Sequence, residues 1–78
     1  MTTKKDLEAM IEAISVTIVR EESEEQFYRR SASGSTSQAA KDLFIEIAEQ
    51  VEKHRMNLEH RRDKLFKDLE DLAIEKGK

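Results

Sequence analysis

The sequence predicts an all-α chain, an antiparallel hairpin of two helices, and three observations carry that prediction. Proline is absent, glycine occurs twice, and the chain is rich in Glu, Lys, Leu, Ala and Arg, the residues that cost least in a helix. Apolar residues recur at three- and four-residue steps, the period of a helix face. One cluster of small polar residues, Ser31 to Ser37, interrupts that periodicity.

Each element follows in order. The first helix is predicted over residues 4–32, because Leu7, Met10, Ile11, Ile14, Ile18 and Tyr28 fall on one stripe. The turn is predicted over 33–37, with Gly34 supplying the left-handed conformation that commonly ends a helix. Ser35, with Gln38 three residues on, reads as a capping box for the second helix, with Thr36 and Ser37 as alternative caps. The second helix is predicted over 38–75, where Leu43, Phe44, Ile47, Val51, Leu58, Leu65, Leu69 and Leu72 continue a stripe. Glu75 to Lys78 carry no periodicity and are expected to fray.

Seventy-eight residues make one small domain. With 37% hydrophobic and 40% charged residues, each stripe is wider than a single neighbour covers, so the hairpin is expected to form a homodimer or higher oligomer. A two-fold dimer gives a four-helix bundle, because the same surface then meets itself. The absence of cysteine excludes disulfides, thiolate metal sites and cysteine nucleophiles. The longest apolar stretch, Ala13 to Val19, is interrupted by Ser15 and Thr17 and falls far short of the roughly 20 residues of a membrane span. Lys4, Lys5, Asp6 and Glu8 stand where a signal peptide would place its apolar segment, so no membrane association and a cytoplasmic location are expected. Fourteen basic against seventeen acidic residues give a net charge of -3, which exerts no pull toward nucleic acid. The basic residues of the second helix alternate with Glu52, Glu59, Asp63 and Asp68 and read as a solvated face. There is no glycine-rich phosphate loop, and no histidine or acid is placed to activate a serine.

The stripes break where chemistry is wanted. Extended in its own period, the first runs through 7, 11, 14, 18, 21, 25 and 28, which places Glu21 and Glu25 at core positions. The second, through 44, 47, 51, 54, 58, 61 and 65, places His54 and Arg61 there. A buried carboxylate has to be paired, protonated, hydrated or bound to a cation. Glu25 has Arg29 at the favourable i+4 spacing, whereas Glu21 has no cation three or four residues away on either side. Three explanations stand side by side: an ion pair from Glu21 to His54 or Arg61 across the bundle, a rotation of the stripe that turns the glutamates to solvent, or a metal site built from Glu21, Glu25 and His54.

Those residues resemble a known family. Glu21 seven residues before Tyr28, the small polar turn, and then Phe44, Ile47, Ala48 and His54 with Leu58 one turn later are similar to a rubrerythrin-type member of the ferritin-like superfamily, over roughly residues 13–58. The resemblance implies a ferritin-like four-helix bundle assembled from two hairpins, with Glu21 and His54 as metal ligands and Tyr28 as a catalytic-site tyrosine that positions a ligand. It implies iron, in the family a di-iron centre, with oxidation of iron(II) by oxygen or peroxide. The family's second helix carries a ligand glutamate three residues before the histidine, and here Val51 stands in that place. Glu25 could restore the missing charge, or two Glu21 and two His54 could hold one iron, zinc or manganese ion. The alternative function is a non-catalytic helical scaffold or interaction module whose degenerate site holds no metal.

Overall fold

The computed structural model describes residues 2–76: two helices, α1 over Lys4–Gly34 and α2 over Gln38–Lys76, joined by residues 35–37. At about 1.5 Å per residue, the 31-residue α1 and 39-residue α2 form a rod. It is 62 Å long and 17 by 14 Å across. The helices run antiparallel: Arg29 near the end of α1 reaches Glu52, and Ser15 in its first half meets Arg62. Gly77 and Lys78, half of the tail expected to fray, lie outside the described residues, whereas Glu75 and Lys76 belong to α2.

Side chains close the helix ends. At the start of α1 the Thr3 hydroxyl accepts from the Asp6 N–H at 3.2 Å, and the Asp6 carboxylate accepts from the Thr3 N–H at 3.2 Å. This capping box satisfies two donors that helix geometry leaves free. Hydrogen bonding to Thr3, its backbone N–H first, holds the Asp6 carboxyl below the usual range. At its other end α1 runs two residues past the expected boundary, and Gly34 is helical, not left-handed: no described residue has a positive φ. Serines there do the work expected of the glycine. The Ser31 hydroxyl donates to the Phe27 carbonyl at 2.9 Å and the Ser35 hydroxyl to the Ser31 carbonyl at 2.7 Å, while Ser35 turns extended at φ -79°, ψ 141°. The connection is accordingly three residues, 35–37, not five. The cap of α2 is Ser37, whose hydroxyl accepts from the Ala40 N–H at 3.4 Å, and Gln38 donates its amide to Asp42 at 2.9 Å. The Ser35–Gln38 box does not form.

The α1 stripe is the expected one. Leu7 and Ile18 are buried, Ile11, Ile14, Glu21, Glu25 and Tyr28 are half-buried, and Ala32 extends the run by one more turn. Met10, placed on the stripe by its spacing, is exposed. In α2 the stripe keeps Phe44, Val51, Leu58 and Leu65 but passes through Ala48, Arg55 and Arg62 between them. Ile47 stays half-buried beside it, whereas His54, Arg61 and Leu43 are exposed, so the expected positions 54 and 61 are corrected by one residue each. Both choices keep the three-four spacing, and only the contact with α1 separates them.

The hairpin covers little of itself. Five described residues, Leu7, Ile18, Ala32, Ala48 and Leu58, make up the buried core. The accessible surface is 6052 Å². A compact monomer of this mass would expose roughly 4,900 Å². Charged pairs, Arg29 with Glu52 and Arg55 with Glu59, cross one long face of the rod. Shallow clefts lie on both long faces: one of about 420 Å³ beside Arg29, Ala32 and Ile45, one of about 220 Å³ among Met10, Ile14, Leu65, Arg61, Lys64 and Asp68, and one of about 460 Å³ at the open end, lined by Leu7, Leu65, Leu72, Asp68 and Asp71 among others. No described helix is long and apolar enough to cross a membrane.

The Gly34 geometry gives a test. A Cβ built on Gly34 meets nothing within 4 Å, and its helical backbone suits any residue. Gly34→Ala is expected to stabilise the fold by about 0.4–1 kcal/mol, by narrowing the unfolded ensemble, as read from urea unfolding. A left-handed glycine would instead give a loss.

Candidate metal centre

The backbone of α1 brings Glu21, Glu25 and Tyr28 onto one side at steps of four and three, with the side chains of Glu21 and Glu25 13% and 14% exposed. α2 supplies different partners to each. The His54 imidazole donates from Nδ1 to Glu21 Oε1 at 2.5 Å, across the hairpin, and its side chain is 61% exposed. The other Glu21 oxygen, Oε2, is buried and has no hydrogen-bond partner. The pairing of Glu21 with His54, one of the alternatives expected, is present and lies within a single hairpin. Arg61 takes no part in it and lies exposed.

Glu25 is held on both sides. Its Oε2 accepts from Arg29 Nε at 2.8 Å, the pair its spacing predicted, and its Oε1 accepts from Arg55 Nη2 at 3.1 Å. The Arg29 N–H, with Arg55 adding to it, holds the Glu25 carboxyl below the usual glutamate range. Hydrogen bonds to Glu25 raise both arginines in turn. The network continues outward, with Arg29 Nη2 on Glu52 at 2.6 Å and Arg55 Nη1 on Glu59. Glu25 thus answers its burial with two guanidinium groups, whereas Glu21 answers with half of its carboxylate.

Tyr28 sits toward the turn. Its ring stacks on Phe44 with centroids 6.4 Å apart and meets the edge of Phe27 at 5.3 Å. Phe27 itself is 56% exposed. The residues that sequence reasoning missed are Arg55 and Arg62. Arg55 is 19% exposed and bridges Glu25 to Glu59, and Arg62 donates to Ser15 at 3.3 Å. Their signal was present in the dipeptides His54-Arg55 and Arg61-Arg62, each of which offers two cations to one stripe position.

Within one chain the arrangement can orient an imidazole through its Nδ1 contact with Glu21. Among the described residues, no three or more His, Asp or Glu side chains converge to hold a metal ion. One chain therefore offers two donor residues, Glu21 and His54.

The Glu25 pairs carry a pH dependence with a definite sign. A carboxyl whose folded pKa is depressed contributes stability above its unfolded value, near 4.5, and that contribution is lost as pH falls through the folded value. Parent protein is expected to lose stability more steeply below pH 4.5 than Glu25→Gln, as measured by urea unfolding across a pH series. Parallel curves would mean that the pairs do not form in solution.

No protein-family model matches this chain, and no curated protein or solved structure matches it either. Of the residues on which a rubrerythrin-type pattern was expected, the structure pairs Glu21 with His54, and Val51 stands three residues before His54.

Proposed function

We propose that the chain is half of a ferritin-like metal-binding bundle, in which two hairpins pair through the face bearing Glu21 and His54 and hold a divalent transition metal between them. One observation carries this reading: Glu21 Oε2 is a buried carboxylate oxygen without a donor, and its other oxygen meets an exposed histidine. An orphaned anionic oxygen costs upward of about 1–3 kcal/mol, and a cation placed against it removes that cost. The donor chemistry fits. Carboxylate and neutral imidazole suit iron, manganese and zinc, and two copies supply the four donors of a tetrahedral ion.

The surface supports pairing of hairpins. The excess over a compact monomer is on the scale of the roughly 800 Å² that each partner of a standard interface buries. Closure of that face would remove Met10, Ile14 and Leu65 from water together with Glu21. In such a bundle Glu21 and His54 hold the ion, and the Tyr28 ring, seven residues after Glu21 on the same side of α1, lines the turn end of the cavity. Iron bound there would supply the family's oxidation of iron(II) by oxygen or peroxide. The chain's own groups contribute a fixed carboxylate, an oriented imidazole and exclusion of water.

A second reading, a helical scaffold or interaction module, is favoured by the Glu25 network, which satisfies a buried carboxylate with arginines alone. Metal content separates the two. Protein loaded anaerobically with iron(II) and passed through a sizing column is expected to retain iron and to oxidise it faster than buffer does. Glu21→Ala and His54→Ala should each lose the metal while keeping their helical circular dichroism, and Val51→Glu, which recreates the Glu-x-x-His pattern, should strengthen retention. Iron equal to the buffer blank in the parent would leave the scaffold reading standing alone.

A further inference from the structure

We infer that two copies of this hairpin pair turn to open end, with Arg61 and Lys64 of one copy level with Glu21 and Glu24 of the other. The inference rests on the pairing of hairpins proposed above and needs no metal. Helix geometry places the residues concerned on one side of the rod. His54, which meets Glu21, stands seven residues before Arg61 and eleven after Leu43. Those steps are close to two and three full turns, so the three share a side of α2. Arg61 and Lys64 line the cleft that holds Met10, Ile14 and Leu65, and Glu24 is exposed one turn beyond Glu21.

Charge is divided unevenly along that side. Val19 is the middle residue of α1, and Glu21 and Glu24 follow it toward the turn. Arg62 donates to Ser15, which sets Arg61 and Lys64 a similar step from the middle toward the open end. A two-fold axis along the rod, turn against turn, brings every charge level with its own copy, acid with acid and base with base. A two-fold axis across the rod near Val19 brings the basic pair of each copy level with the acidic pair of the other, so opposite charges face across the interface. The apolar ends match in the same arrangement. The open-end cleft lined by Leu7, Leu65 and Leu72 then lies over the turn end of the partner, where Leu43 is 54% exposed.

The chain has no cysteine, so one introduced cysteine carries a single spin label, and pulsed electron resonance reads the separation between the two copies in metal-free buffer. Val19→Cys, at mid-rod and exposed, should give a separation under about 40 Å in either arrangement, since packed helices lie about 8–10 Å apart. Thr36→Cys, in the connection, should give about 50 Å for turn to open end and about 30 Å or less for turn to turn. Both variants are checked by circular dichroism for retained helix. A short Thr36 separation would overturn the inference and leave the pairing standing, whereas no dipolar signal from Val19→Cys would overturn the pairing and this inference with it. Arg61→Glu/Lys64→Glu should weaken the dimer about tenfold, and adding Glu24→Lys should restore it. A dimer indifferent to that reversal would overturn the role of charge.

Discussion

Two carboxylates on the inner stripe of a two-helix layer constrain the rest of this molecule. Glu21 and Glu25 stand where apolar residues would pack, and Glu21, with no cation three or four residues away on α1, has to be compensated across the hairpin. Glu25 draws in Arg55 from α2 and Arg29 from its own helix. With Arg62 on Ser15 and Arg29 on Glu52, these contacts fix the register at which the helices pass, because a slip by one turn would strand a partly buried charge. Glu21 draws in His54 and keeps one oxygen unanswered.

The division makes the two faces of the rod unequal. One is closed by guanidinium–carboxylate pairs that water can also reach, and such pairs add specificity more than stability. The other carries Met10, Ile14 and Leu65 around a shallow cleft, and the half-satisfied Glu21 carboxylate lies further along α1. A core of five buried residues is thin for a chain of this length, and the open face is where more burial is to be had. Assembly and metal binding address the same deficit, since one new layer would cover the apolar side chains and present a second Glu21–His54 pair to the first.

Much of this was legible in the sequence, and the misses have physical reasons. The α1 stripe was readable because Leu7, Ile11, Ile14 and Ile18 keep one unbroken three-four run that Glu21 and Glu25 continue, although Met10 beside Ile11 was placed on it and is exposed. The α2 stripe admits two. Ile47-Ala48 is apolar at both positions, while His54-Arg55 and Arg61-Arg62 are cationic at both, so periodicity alone could not choose the residue facing α1. The structure uses both phases: 48, 55 and 62 meet α1, and His54 turns toward the open face to reach Glu21. The end of α1 was misjudged because glycine is the commonest way to stop a helix, whereas here Ser31 and Ser35 satisfy late carbonyls with their hydroxyls. The Glu21–His54 meeting was foreseen. The double engagement of Glu25 was half foreseen, since its Arg29 contact is local and its Arg55 contact depends on the phase of α2.

The central claim is that the face bearing Glu21 and His54 is closed by a second copy of the chain. Sedimentation equilibrium on the intact protein tests it most directly. The account predicts a species of twice the 9.1 kDa chain mass, which returns to a single chain when Ile14, on the open face, is replaced by aspartate. A stable, fully helical 9.1 kDa monomer in the parent would contradict it.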